Sequence, residues 1–173
     1  QHVVYLSGPS ASWANRQRRA AVKQAAEAVG MEVNAVPILK PTHEAGKRSV
    51  KQVLATGATA AIAFDDLLAQ GLLAGLAEAG VSVPHDFSVI GCDDVLAATT
   101  YPPLTTVSNR SADVGEFAVT MLMESLRTRG FTDARHVLDT HLVIRDTTAP
   151  PPKLPRVGST GTEALAGGAG LAR

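Results

Sequence analysis

A short apolar run followed by a helical stretch recurs along this sequence, and three of these stretches end on a glycine. Val3 to Leu6 reads as a buried strand, Arg16 to Val29 as a helix stopped by Gly30, and Glu32 to Ile38 as the next strand. Glu44 to Thr56 is a helix closed by Gly57, Ala60 to Phe64 a strand, Leu67 to Ala79 a helix closed by Gly80, and Phe87 to Ile90 a strand. Parallel neighbours need a helical crossover, so this order predicts an α/β fold in which helices flank a parallel sheet. The grammar changes after Asp94, where Tyr101-Pro102-Pro103 interrupts regular pairing before the extended run Leu104 to Val107. Ser111 then offers a cap for a helix to about Arg129 with Gly130 behind it, and His136 to Ile144 reads as a last strand. From Ala149 the composition is Pro, Gly and small residues, which bury too little to offset ordering entropy, and a mobile tail is expected.

Composition narrows the function. The 173 residues carry a formal net charge of +0, so the overall balance gives no electrostatic footprint for a polyanion. The single cysteine, Cys92, has no partner for an internal disulfide, which fits a cytoplasmic setting. No apolar stretch approaches the roughly 20 residues of a membrane span, and no membrane partner is expected. His2, His43, His85, His136 and His141 lack metal-ligand spacing, and neither a nucleophile elbow nor a phosphate-binding loop is present.

In a parallel sheet, ligands gather beyond the carboxyl ends of the strands. Polar residues collect there in this chain: Ser10, Ser12, Arg16 and Arg18 after the first strand, Asp65 and Asp66 after the third, Asp93 and Asp94 after Gly91. Arginines near a helix start run against the helix dipole, which suggests a compensating partner, although a solvated basic face is the simpler reading for Arg16 and Arg19. The acidic pairs have simple readings too, with Asp66 as a helix cap and Asp94 as a turn residue. Two such pairs at adjacent strand ends nonetheless repel unless they hold a cation, a hydroxylated ligand or an arginine. A magnesium or phosphoryl enzyme is one alternative. Its weakness is that residues 52–109 contain six acids and no Lys or Arg to stabilise a transferring phosphoryl group.

The segments SGPSASWANRQRR, AIAFDDLLAQGLLAGLAEAGVSVPHDFSVIGCDD, YPPLTTVSNRSADVGEFA and LVIRDTT resemble, in order and spacing, the signature segments of LacI/GalR-type transcriptional regulators. The resemblance covers residues 1 to about 149. It implies a periplasmic-binding-protein-like (type I) fold of two subdomains, truncated at the N-terminus, with a small effector such as a sugar or nucleobase in the cleft. Residues 1–104 would form the C-terminal subdomain without its first helix. Residues 105–145 would supply hinge crossovers and a helix of the other subdomain, and 146–173 the strand end and tail. By the same resemblance Arg18 and Asp93 contact the effector, Asp65 stands where asparagine is usual, Asp66 follows it, and Asn109 lines the cleft. Ser12 and Trp13 complete the candidate set, Trp13 as a stacking face or as a partly buried anchor.

The function implied is effector sensing without catalysis, cofactor or metal, and DNA would be reached only through a headpiece that this chain does not contain. A transport-type sugar-binding protein is the rival of the same fold. A homodimer through helices 44–56 and 67–79 is also implied, and Leu67, Leu68, Leu72, Leu73, Leu76 and Ala77 are more apolar residues than one packed face requires.

Overall fold

The computed structural model describes residues 2–130 and 135–151. Its elements follow the alternation expected: β1 His2–Ser7, α1 Trp13–Ala28, β2 Glu32–Pro37, α2 His43–Leu54, β3 Ala60–Ala63, α3 Asp66–Glu78, β4 Ser88–Asp93, β5 Thr105–Ser108, α4 Ser111–Thr128 and β6 His141–Val143. One six-stranded sheet has the order β2-β1-β3-β4-β5-β6. Every pairing is parallel except that of β5 with β6.

Alternation along each strand divides the sheet into two faces. Val4 and Leu6 of β1, Ala61 and Ala63 of β3, and Val89 of β4 point to the face covered by α2 and α3, where Val53, Leu68, Leu72, Leu76 and Phe87 complete the core. Val3, Val33 and Ile62 face the other way, toward Ala21, Val22 and Ala25 of α1, and line an apolar cavity of about 530 Å³. This second face is only partly covered. Of α1, only Asn15 and Ala26 are buried, and α4 has no buried residue.

The helix α3 lies between the sheet and α2. That is why it carries more apolar residues than one face needs: Leu68, Ala69, Leu72 and Leu76 are 0% exposed and Leu73 is 7% exposed. Burying a leucine of this kind contributes about 1.5 to 3 kcal/mol. Leu72 and Leu73 therefore belong to the interior, and the surplus is explained without a second subunit at these positions. The approach of α2 to α3 is backbone on backbone. A Cβ on Gly71 would collide with the carbonyl oxygen of His43, one on Gly46 with that of Leu68, and one on Gly75 with Lys47 and Val50.

Several boundaries differ from the sequence reading. Helix α1 begins at Trp13, capped by the Ser12 hydroxyl, which accepts from the Asn15 amide. Arg16 and Arg18 consequently lie past the first three helical positions, and their expected conflict with the helix dipole falls away. Strand β4 runs on through Gly91, Cys92 and Asp93. Ser111 does not cap α4. Arg110, in the left-handed region at φ 54°, takes that position, and the Ser111 hydroxyl donates to Asn109 Oδ1. The helix ends on left-handed Arg129 (φ 51°) and not on Gly130. Gly30 and Gly80 do terminate their helices, at φ 67° and 72°, a conformation that costs glycine least. The strand expected over His136–Ile144 is only three residues long at His141–Val143, and of the tail expected from Ala149, Ala149 itself is hydrogen-bonded to Ser88 while 152–173 lie outside the described residues.

Two helix-interior glycines should respond oppositely to alanine. Relative to glycine, alanine favours a helix by up to ~1 kcal/mol, and nothing stands within 4 Å of a Cβ at Gly115. Gly115→Ala should raise the stability of the intact protein by about 0.5 to 1 kcal/mol. Gly71→Ala should lower it by about 1 to 3 kcal/mol, because α2 and α3 must separate. Denaturant midpoints check both signs.

Candidate functional site at the carboxyl edge of the sheet

The loop leaving β1 turns toward α1 on one face, whereas the loop leaving β3 enters α3 on the other. Between these adjacent strands lies the topological switch point, where crossing directions reverse and a crevice opens. The loop after β1 is built on Asn15, which is 3% exposed. Its Oδ1 accepts from the Gly8 amide at 2.8 Å and from the Tyr5 hydroxyl at 3.2 Å, and its Nδ2 donates to the Pro9 carbonyl. Burial pushes the Tyr5 hydroxyl up to about 12, so Tyr5 remains a neutral donor to Asn15. A side chain at Gly8 would strike the Phe64 ring, so glycine there lets the loops after β1 and β3 touch.

Arg18 spans the crevice. Its guanidinium donates to the Phe64 carbonyl at 2.5 Å and to Asp93 Oδ1 at 2.8 Å, and lies 5.1 Å from the centroid of the Phe64 ring. One side chain of α1 thus reaches the ends of both β3 and β4. Asn109, just beyond β5, donates from Nδ2 to the same Asp93 oxygen at 3.2 Å. Register explains the meeting: Asp93 pairs with Ser108, so residue 109 emerges beside it. The Arg18–Asp93 pair is about 30% exposed on each side, at 29% and 28%. It is protected enough to be oriented and open enough to meet a solute. Cys92 is buried beneath it, and burial pushes its thiol up to about 11, leaving it protonated and unreactive.

The other candidates separate by their partners. Asp65 caps α3, accepting the Leu68 amide on Oδ1 at 2.8 Å, and burial raises its carboxyl above the usual carboxylate value. Asp66 turns inward and is 3% exposed. Its oxygens accept the Thr106 hydroxyl at 2.6 Å and the Val95 amide at 2.7 Å, and burial raises its carboxyl as well. Asp94 pairs with Arg145 at 2.8 Å. The four aspartates therefore do not converge, and among the described residues no group of three or more His, Cys, Asp or Glu stands ready for a metal ion. Ser12 is occupied as a cap, and Trp13 is 69% exposed at the start of α1.

Sequence reasoning missed Asn15, Arg145 and Thr147. The Thr147 hydroxyl is buried, donating to the Val89 carbonyl and accepting from the Thr105 amide. Only Asn15 left a local signal, as a polar residue in the first turn of a helix that follows a Gly-Pro turn.

Residues 1–148 match the family described as periplasmic binding protein-like domain. The chain is 31% identical over 150 residues to catabolite control protein A of Streptococcus mutans, covering 84% of this chain and 45% of that protein. To the transcriptional repressor PurR of Pasteurella multocida it is 36% identical over 107 residues, 59% of this chain and 31% of that one. Among solved structures, a dimeric Lac repressor with an 11-residue C-terminal deletion superposes with a TM-score of 0.78 at 28% identity, covering 87% of this chain and 56% of that one. A LacI-family transcriptional regulator from Enterococcus faecalis V583, solved with bound ribose, gives 0.74 at 30% identity, with 87% and 55% covered. The chain thus spans about half the length of these structures and between 31% and 45% of these curated relatives. Matched over residues 1–148 and similar in structure to LacI-family regulators, the chain belongs to the periplasmic binding protein-like domain family.

Proposed function

We propose that this chain supplies one wall of the effector site of a transcriptional regulator, and that the effector is a polyhydroxylated small molecule held by Arg18 and Asp93. The observation that carries this reading is the single guanidinium joining the ends of β3 and β4 and oriented on a partly exposed carboxylate. A guanidinium fork donates to ring or hydroxyl oxygens, a carboxylate accepts from hydroxyls, and Asn109 can do either. The Phe64 ring is sandwiched between Gly8 and Arg18, where it supports the cluster. Asp65 and Trp13 lie on the same rim, as secondary contacts. Ser12 and Asp66 would act indirectly, by fixing α1 and β5.

Sugars are favoured as the chemical class because neighbouring regulators are solved with ribose and with cellobiose. Several relatives are named as transcriptional repressors and regulators, which favours sensing over transport and over catalysis. A cytoplasmic setting accords with this reading. Among the described residues no helix is long and apolar enough to cross a membrane. Operator DNA would be read by a headpiece outside this chain, and residues 105–145 would carry the crossovers to a second subdomain. The strand β5 passes directly into α4, which has no buried residue.

Association as a homodimer is proposed along the outer surfaces of α2 and α3. There His43, Gln70, Ala74 and Ala77 border a groove of about 300 Å³ closed by Leu96 and Tyr101. Leu96 is 68% exposed and Tyr101 is 98% exposed, large apolar surfaces unusual for a region facing only water. Because Leu72 is interior, a charge there tests folding. Leu96→Glu and Tyr101→Glu in the intact regulator are expected to shift dimer toward monomer in sedimentation without lowering helix content, and an unchanged dimer would place the interface elsewhere.

The ligand reading is tested by screening sugars against the intact regulator by thermal shift, then titrating any sugar that raises the melting temperature. Arg18→Ala and Asp93→Asn should each weaken binding about tenfold or more, since a hydrogen bond to a charged group contributes about 1.5 to 3 kcal/mol. Gln17→Ala, on the exposed side of α1, should leave binding unchanged. No response to any sugar, or unchanged affinity in both site variants, overturns the assignment.

A further inference from the structure

Asp93 and Asp94 both lie at positive φ, 109° and 58°, in a backbone region that suits glycine and that side-chain-bearing residues occupy at a cost. Such a turn persists only where its surroundings hold it. Three restraints converge on this one. Asp66 Oδ2 accepts the Val95 amide at 2.7 Å. Arg18 and Asn109 hold Asp93. Arg145 holds Asp94 from the opposite side, through Nη2 to Oδ1 at 2.8 Å.

Arg145 is itself anchored. Its Nη1 donates to the Leu104 carbonyl at 2.8 Å, and its backbone amide donates to the Thr105 hydroxyl at 2.9 Å. With 19% and 24% exposure, the Arg145–Asp94 pair is better shielded than Arg18–Asp93. Arg145 follows β6 by two residues, so it comes to the turn from a chain segment remote in sequence.

We infer that Arg145 is a positioning residue for the effector site: through Asp94 it fixes the strained turn that presents Asp93 to Arg18, without touching the effector itself. The inference rests on the reading of Asp93 as an effector contact. A guanidinium suits the task because its two nitrogens serve the Asp94 carboxylate and the Leu104 carbonyl at once. A lysine can keep the charge pair but not the fork. The same arginine ties the end of β6 to the turn after β4, so a shift of either displaces Asp93.

Amide hydrogen exchange on the intact regulator, without any effector, tests this. Arg145→Met and Asp94→Asn should each speed exchange over residues 93–96 by about tenfold, with α2 and α3 unchanged, and Arg145→Lys should restore part of the protection. Adding Asp94→Gly to Arg145→Met relieves the backbone cost at that position. Thermal stability should then recover while exchange at 93–96 stays fast, a split that a merely stabilising role would not produce. Unchanged exchange in both single variants overturns the inference. So does a uniform rise that includes α2 and α3, or joint recovery of stability and protection in the double variant. Because no effector is used, a failed sugar screen would remove the effector reading alone.

Discussion

The carboxylate of Asp66 sits where the sheet, α3 and the turn after β4 meet, and the edge that bears the site depends on it. A buried acid is tolerated only when its oxygens are satisfied, and here the Thr106 hydroxyl and the Val95 amide do so. Gly91 gives it room, since any larger residue would strike Oδ1. One side chain thereby registers β5 beside β4 and pulls the chain after Asp93 back toward α3. Burial still raises its carboxyl, so the folded chain binds the proton more tightly than the unfolded one. Its contribution therefore favours folding at acid pH and is lost as pH rises out of the ordinary carboxylate range. Near neutrality the two hydrogen bonds must offset that cost, which is why Asp66 serves the architecture and is not free to serve a solute.

The remaining aspartates show how identical side chains take different chemistry from position alone. Asp65 precedes α3 and is spent on the Leu68 amide. Asp94 points away from the crevice to Arg145, and only Asp93 faces Arg18 across it. Successive residues at a strand end project to opposite sides, and the left-handed backbone at 93 and 94 sharpens the divergence. A cluster of carboxylates in sequence thus becomes one presented carboxylate in space, with an arginine and an amide to orient it. The proposed recognition of hydroxyls rests on that arrangement, and among the described residues no converging acids of the kind a divalent cation needs are gathered.

Much of this was legible in the sequence for reasons that can be stated residue by residue. Helical composition stopped by Gly30 and Gly80 marks real helix ends, because the left-handed turn there is a local requirement that glycine meets at least cost. Arg18 and Asp93 stand among the polar residues at the carboxyl ends of the parallel strands, whereas Asn109 was indicated only by the family resemblance. The start of α1 was read three residues late, at Arg16, because the packing of Asn15 under the loop, which holds Trp13 to Asn15 in the helix, leaves no local pattern. Asp66 was read as the cap of α3, but Asp65 takes that position, because Asp66 is drawn inward to Thr106, 40 residues away. Arg145 and Thr147 meet partners 51 and 58 residues distant, and no local pattern announces contacts that exist only once β5 and β6 are in place.

The uneven covering of the sheet bears on how the site works. The face under α2 and α3 is sealed by side chains at 0% exposure and by glycines that allow backbone contact, so it resists displacement. Among the described residues the opposite face meets α1, and an apolar cavity remains between Val3, Ile62 and that helix. Arg18 belongs to this loosely seated element, whereas Asp93 belongs to the strand packed beneath the rigid layer. The ion pair between them therefore joins the closely packed face of the sheet to its less covered face. A solute that inserts between guanidinium and carboxylate would change the seating of α1 at less cost than that of α3. The direction of any response to binding follows from that difference in packing: α1 and the loop after β1 should yield first, with the Arg145-anchored turn serving as the fixed point against which they move.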